Sequence, residues 1–167
     1  MREYLFQSLI GFIVALSCLG HVSAQVPSDT GERLAKETMA LVMFAEMGNV
    51  GARDPECKGT PFPVADISSL VDTEVGPIID ALARSERKPL PAPRTEMLAL
   101  FKQISNQKDR GVSVVQRVYE QKKQEARAAY GAAGACSALS SMVQTVIQQK
   151  RLALRDINAL LGRAKPN

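Results

Sequence analysis

The chain has 167 residues, of which 46% are hydrophobic, 23% charged and 5% aromatic, with no Trp. That balance fits a foldable globular chain and excludes a collagen-like repeat or a highly charged disordered polymer. The formal charge is +4 with one His, His21, and a single domain accounts for the length.

Residues 1–24 read as a bacterial-type secretory signal. Arg2 supplies a positive start, and Leu9 to Leu19 form an apolar run too short for a comfortable permanent span. Val22-Ser23-Ala24 sets small residues at the cleavage position, so the cut is expected between Ala24 and Gln25. The expected mature protein is one helical domain, 25–167, periplasmic or secreted and not transmembrane. It has no His, because His21 leaves with the signal. A Ser-His-Asp triad, a Cys-His pair, an HExxH zinc site and a His-ligated haem are thereby excluded.

With Cys18 discarded, Cys57 and Cys136 remain. An even pair in an oxidising compartment reads as a disulfide, joining an N-terminal loop to a C-terminal helix. No CxxC spacing supports a redox motif, and no third ligand supports a thiolate metal site.

In chain order, the first expected helix is Asp29 to Gly48. Asp29 and Glu32 resemble a capping arrangement, and Gly48 and Gly51 offer a stop. Its centre, Met39 to Ala45, is apolar nearly all round, so the helix should be buried. Residues 49–64 read as a loop. Asp66 to about Arg84 reads as helix, broken or restarted at Gly76-Pro77. Residues 25–87 thus form acidic N-terminal helices, and the proline-rich segment 88–93 is an extended linker.

Beyond the linker, 94–162 reads as a long helical hairpin. Its first helix is expected from Thr95 to about Ala129, carried by Leu98, Phe101, Ser105, Val112, Val115 and Tyr119. Gly131 and Gly134 mark the joint. The last helix, about Ala135 to Leu161, carries Leu139, Met142, Val143, Val146, Ile147, Leu154, Ile157 and Leu160 in one stripe. The fold class is therefore all-α: N-terminal helices packed on a long C-terminal antiparallel hairpin, with one disulfide.

Two features carry candidate chemistry. Met39, Met43 and Met47 lie one helical turn apart, a soft-ligand row that suits Cu(I); the plainer reading is core filling beside Leu41, Val42 and Phe44. Charge is also split. Residues 25–80 hold 4 basic and 10 acidic residues, and residues 81–167 hold 16 basic and 6 acidic. Lys122, Lys123 and Arg127 on one helix, with Lys150, Arg151 and Arg155 on the next, make a candidate surface for an anionic partner. The plainer reading is that the acidic half folds over the basic half and cancels its field. No basic–aromatic interleaving points to nucleic acid.

No cofactor is expected, nor an enzyme. One route survives without His, a cationic clamp on a dianionic substrate, for which Arg110, Lys122, Arg127 and Lys150 are the carriers. Glu120 and Glu125 make an unconvincing carboxylate pair for glycan cleavage. The expected function is protein–protein contact in the bacterial envelope, as adapter, inhibitor or assembly subunit. One alternative is a minor pilus subunit of a type IV secretion or conjugation system, similar in layout: signal peptide, N-terminal helices, long helical bundle. The other is a periplasmic Cu(I) or anion binder.

Overall fold

In a computed structural model, the structure describes residues 29–85 and 112–163, with 95–96, 99 and 108–109 between them. The expected signal segment, its Ala24–Gln25 cleavage point and the linker 88–93 lie outside the described residues.

Helix α1 spans Thr30–Arg53, past both glycines expected to stop it. The reason is close packing. A Cβ on Gly48 would overlap the Pro63 carbonyl oxygen, and one on Gly51 would overlap the Phe62 ring. These glycines let an extended strip, residues 60–65, lie directly on the helix. Asn49 fastens the strip: its side chain donates to the Ala65 carbonyl at 2.8 Å and accepts from the Ala65 amide at 3.0 Å. The capping reading of Asp29 is corrected. Its backbone is already helical, and its side chain makes no cap bond.

After α1, Pro55–Cys57 form one 3-10 turn, begun by Asp54, whose carboxylate accepts from the Glu56 amide at 2.9 Å. Asp66 then caps α2 (Ile67–Leu70), accepting from the amides of Ser68 and Ser69 at 2.9 and 3.2 Å. A π-helical turn, Val71–Val75, leads into α3 (Gly76–Ser85). At Gly76-Pro77 the helix does not break: the backbone stays helical, and the irregularity takes the form of the π turn, closed by the Gly76 amide on the Val71 carbonyl just before Pro77, which has no amide to continue the ladder.

The helix expected from Thr95 to Ala129 is not continuous. Strands β1 (Lys108–Asp109) and β2 (Val112–Ser113) form a two-residue antiparallel ladder. The helical spacing of Val112 and Val115 is therefore realised only from Val114 onward. Helix α4 follows, Val114–Arg163, broken at Gly131, where φ is 72° and ψ 171°.

That break reverses the chain. Cys57 touches Tyr119 (Sγ to Oη 3.5 Å) and is disulfide-bonded to Cys136. Tyr119 and Cys136 are 17 residues apart, which would separate them by about 25 Å along an unbroken helix. The two arms, 114–130 and 132–163, are therefore antiparallel. Gly131 takes a backbone conformation essentially reserved for glycine, ending one helix and opening the next.

Helix α1 packs antiparallel to the C-terminal arm. Its start meets residue 150 through Glu37, and the turn after its end meets residue 136 through Cys57. Leu34, Leu41, Val42 and Ala45 of α1 are buried with Leu139, Val143, Ile147, Leu154 and Ile157 of the arm. Val75, Ile78 and Ile79 close the core from the α3 side. The expected stripe holds, with one shift: Leu161 is buried and Leu160 is 52% exposed. Seven residues beyond Leu154 keep the same face, whereas six do not. Among the described residues no helix is long and apolar enough to cross a membrane.

Candidate functional site

The strongest concentration of polar chemistry lies beside the disulfide. The sequence puts Asp54 and Glu56 on either side of Pro55, just before Cys57. The 3-10 turn aims these carboxylates at the N-terminal arm. Tyr119, Lys123 and Arg127 recur there every four residues, on one helical face.

Lys123 is the hub. Its ammonium stands 2.7 Å from Asp54 Oδ2, 3.0 Å from Glu56 Oε2 and 3.0 Å from Glu120 Oε2. Three carboxylates thus meet the three donors of one ammonium. The Lys123 side chain is 5% exposed and that of Asp54 7%. Tyr119 donates to Asp54 Oδ2 at 2.8 Å, and its ring lies under the ammonium, 5.5 Å from Nζ to the centroid. Phe62 meets the same ring edge-on at 6.2 Å. Arg127 donates to Glu56 Oε2 at 2.7 Å.

The charges tune one another. Burial works against ionisation of Asp54, but hydrogen bonds from Lys123, the Glu56 amide and Tyr119 outweigh it, so its carboxyl lies below the usual range. Burial likewise opposes charge on Lys123, and the three carboxylates overcome it, raising its pKa well above the ordinary lysine value. Burial and the Asp54 carboxylate push the Tyr119 phenol upward. Lys123 is thus held as an ammonium and Tyr119 as a neutral donor. An ammonium has no lone pair with which to attack a carbonyl or accept a proton, so Lys123 acts here as a donor to its three carboxylates.

The other nominated residues fall into three groups. Lys150 stands 2.8 Å from Glu37 Oε2, within ion-pair range although the angle fails that of a hydrogen bond. Arg151 grips Glu74 with a fork of bonds, at 2.7 to 3.0 Å, and Glu74 is presented by the π turn. Lys122 pairs within its own arm with Glu125 at 2.6 Å, and Arg155 is exposed. Lys123, Arg127, Lys150 and Arg151 therefore each meet an acid of the N-terminal half. Met47 is fully buried in the core, and Met39 and Met43 pack against it. Among the described residues no group of three or more His, Cys, Asp or Glu is set to hold a metal ion.

Sequence reasoning nominated the cations and missed their partners: Asp54, Glu56, Glu37, Glu74, and the Tyr119 hydroxyl. A signal was present. Once Cys57 is joined to Cys136, the acids flanking Cys57 must lie on the basic hairpin. In comparisons with protein-family models, curated proteins and solved structures, the chain matches none.

Proposed function

We propose that this chain is an exported protein of the bacterial envelope that acts by protein–protein contact, as adapter, inhibitor or assembly subunit. The observation that carries the reading is the outer end of the hairpin. Residues 128–133, Ala-Ala-Tyr-Gly-Ala-Ala, are all exposed and uncharged. Tyr130 is 67% exposed there, a large amphipathic ring without cover. Rigid aromatic side chains at the end of a braced scaffold suit a contact surface, because they lose little entropy on binding. The engagement of four hairpin cations by internal acids also favours a packed scaffold over a free polyanion-binding face.

The test is photo-crosslinking in the native envelope. A photoreactive phenylalanine at position 130 should give a discrete adduct that the same group at exposed Gln116 does not. Equal labelling at both positions, or none at 130, overturns the contact reading. Export is checked separately: the mass of the purified protein should begin at Gln25, and a cytosolic form retaining Met1 would remove that part.

A further inference from the structure

The turn 54–57 touches both arms of the hairpin, through different chemistry. To the N-terminal arm it offers charge and hydrogen bonds, Tyr119 and Lys123 to Asp54 and Lys123 and Arg127 to Glu56, while the start of that arm is also seated in the core through Val115 and Tyr119. To the C-terminal arm it is joined covalently, Cys57 to Cys136. Lys123 and Asp54 offset their burial only while the turn is seated against the arm, where their carboxylate, amide and phenol partners are in reach. Something must hold this turn against the arm, and the disulfide does so at the neighbouring residue. The opposite end of the molecule is held otherwise. Leu34, Leu154 and Ile157 are at most 2% exposed, and Glu37–Lys150 and Glu74–Arg151 lie 14 and 15 residues along the arm from Cys136, about 20 Å away.

We propose that the Cys57–Cys136 bond is a redox-operated clasp, whose reduction by a dithiol frees the 54–58 turn and the distal stretch 123–130 of the arm while α1, α3, the C-terminal arm and the core-seated start of the N-terminal arm stay folded. The exchange is a two-electron step. A dithiol thiolate attacks Cys136 Sγ, on the less buried of the two cysteines; Cys57 is 3% exposed. Cys57 leaves as thiolate and takes a proton. The dithiol's second sulfur then displaces Cys136, so the protein gains two thiols and the dithiol becomes a disulfide. Freed of its tether, the turn exchanges a buried ion cluster for hydrated ions. This inference does not rest on the contact reading above.

Hydrogen exchange of the full chain, oxidised and then in dithiothreitol, tests it. Amides in 54–58 and 123–130 should exchange roughly tenfold faster or more after reduction, and those in 34–47, 115–119 and 139–157 should not change. Uniform acceleration would mean a global staple and overturn the proposal. No acceleration anywhere would overturn it equally. The double variant Cys57→Ser/Cys136→Ser should reproduce the reduced pattern without reductant. Protection of 54–58 at the oxidised level in that variant would also sink it.

Discussion

Lys123 and Asp54, 69 residues apart, meet at 2.7 Å with both side chains almost wholly withdrawn from solvent. The contact spans the two halves of opposite charge. Among the described residues, five ion pairs join a hairpin cation to an N-terminal acid: Lys123–Asp54, Lys123–Glu56, Arg127–Glu56, Lys150–Glu37 and Arg151–Glu74; of these five, Lys123–Asp54 alone has both side chains buried. Removing one member strands the other, so the pair is a sensitive probe of the fold.

Lys123→Met leaves the Asp54 carboxylate buried with only Tyr119 and the Glu56 amide as donors. The expected loss is about 3 kcal/mol. Asp54→Asn combined with Lys123→Met should recover part of it, because no unpaired charge remains. Urea unfolding of the two single variants and the double one measures the coupling. A loss in Lys123→Met below about 1 kcal/mol would mean that the network bears no weight.

Stability should depend on pH at both extremes. Asp54 has a depressed folded pKa, so its contribution is present above the ordinary value of 3.8 and is lost as pH falls through the folded value. Lys123 and Tyr119 have raised folded pKa values. Their contributions are complete below the ordinary 10.5 and 10.0 and are lost as pH rises above them. The urea midpoint should therefore be flat near neutrality, fall below about pH 4, and fall again above about pH 10. Combining Lys123→Met with Tyr119→Phe should flatten the alkaline limb. An unchanged limb in that variant would place its origin elsewhere.

Gly48 and Gly51 should resist substitution although both sit inside a helix, where Ala is ordinarily better. Gly48→Ala drives a methyl into the Pro63 backbone, which cannot rotate away. The expected cost is about 2 kcal/mol. Gly51→Ala meets the Phe62 ring instead, and Phe62→Leu in the same chain should restore part of the loss. Thermal unfolding separates these outcomes; a stabilising Gly48→Ala would contradict the seating of the 60–65 strip.

Gly131→Ala tests the reversal. Nothing crowds a Cβ there, so any cost comes from the backbone conformation alone. About 1–3 kcal/mol is expected. Spin labels at exposed Gln121 and Ser137, on opposite arms, should report one short distance in the wild type. A distance of about 24 Å, that of 16 residues of straight helix, would replace the hairpin with a rod.

Much of this architecture was legible because it depends on local chemistry. The apolar spacing of Leu139, Val143, Ile147, Leu154 and Ile157 marks a helix face wherever it is met. Asp66 caps, and the ladder turns π-helical just before Pro77, for reasons contained within a few residues. The cysteine pairing followed from there being two to join once Cys18 was assigned to the signal. Errors arose where a residue answers to a distant neighbour. Gly48 and Gly51 carry the same signature as helix stops, and only Phe62 and Pro63, lying against them, turn them into packing notches. The pairing of 108–109 with 112–113 shows a strand contact overriding an acceptable helical period.

Helix content, the place of the break, the cysteine pair and the opposition of an acidic half to a basic half are properties of the chain as written, since each follows from neighbours in sequence or from composition. The hub at Lys123 is not. Lys122 and Lys123 are adjacent and chemically identical, yet one faces water beside Glu125 and the other is enclosed by Asp54, Glu56 and Glu120. A turn of about 100° between successive helical residues separates them, and which one points inward depends on where the 54–57 turn comes to rest. That position is set by long-range closure through Cys136 and by the strip seated on α1, and no stretch of sequence around Lys123 contains it.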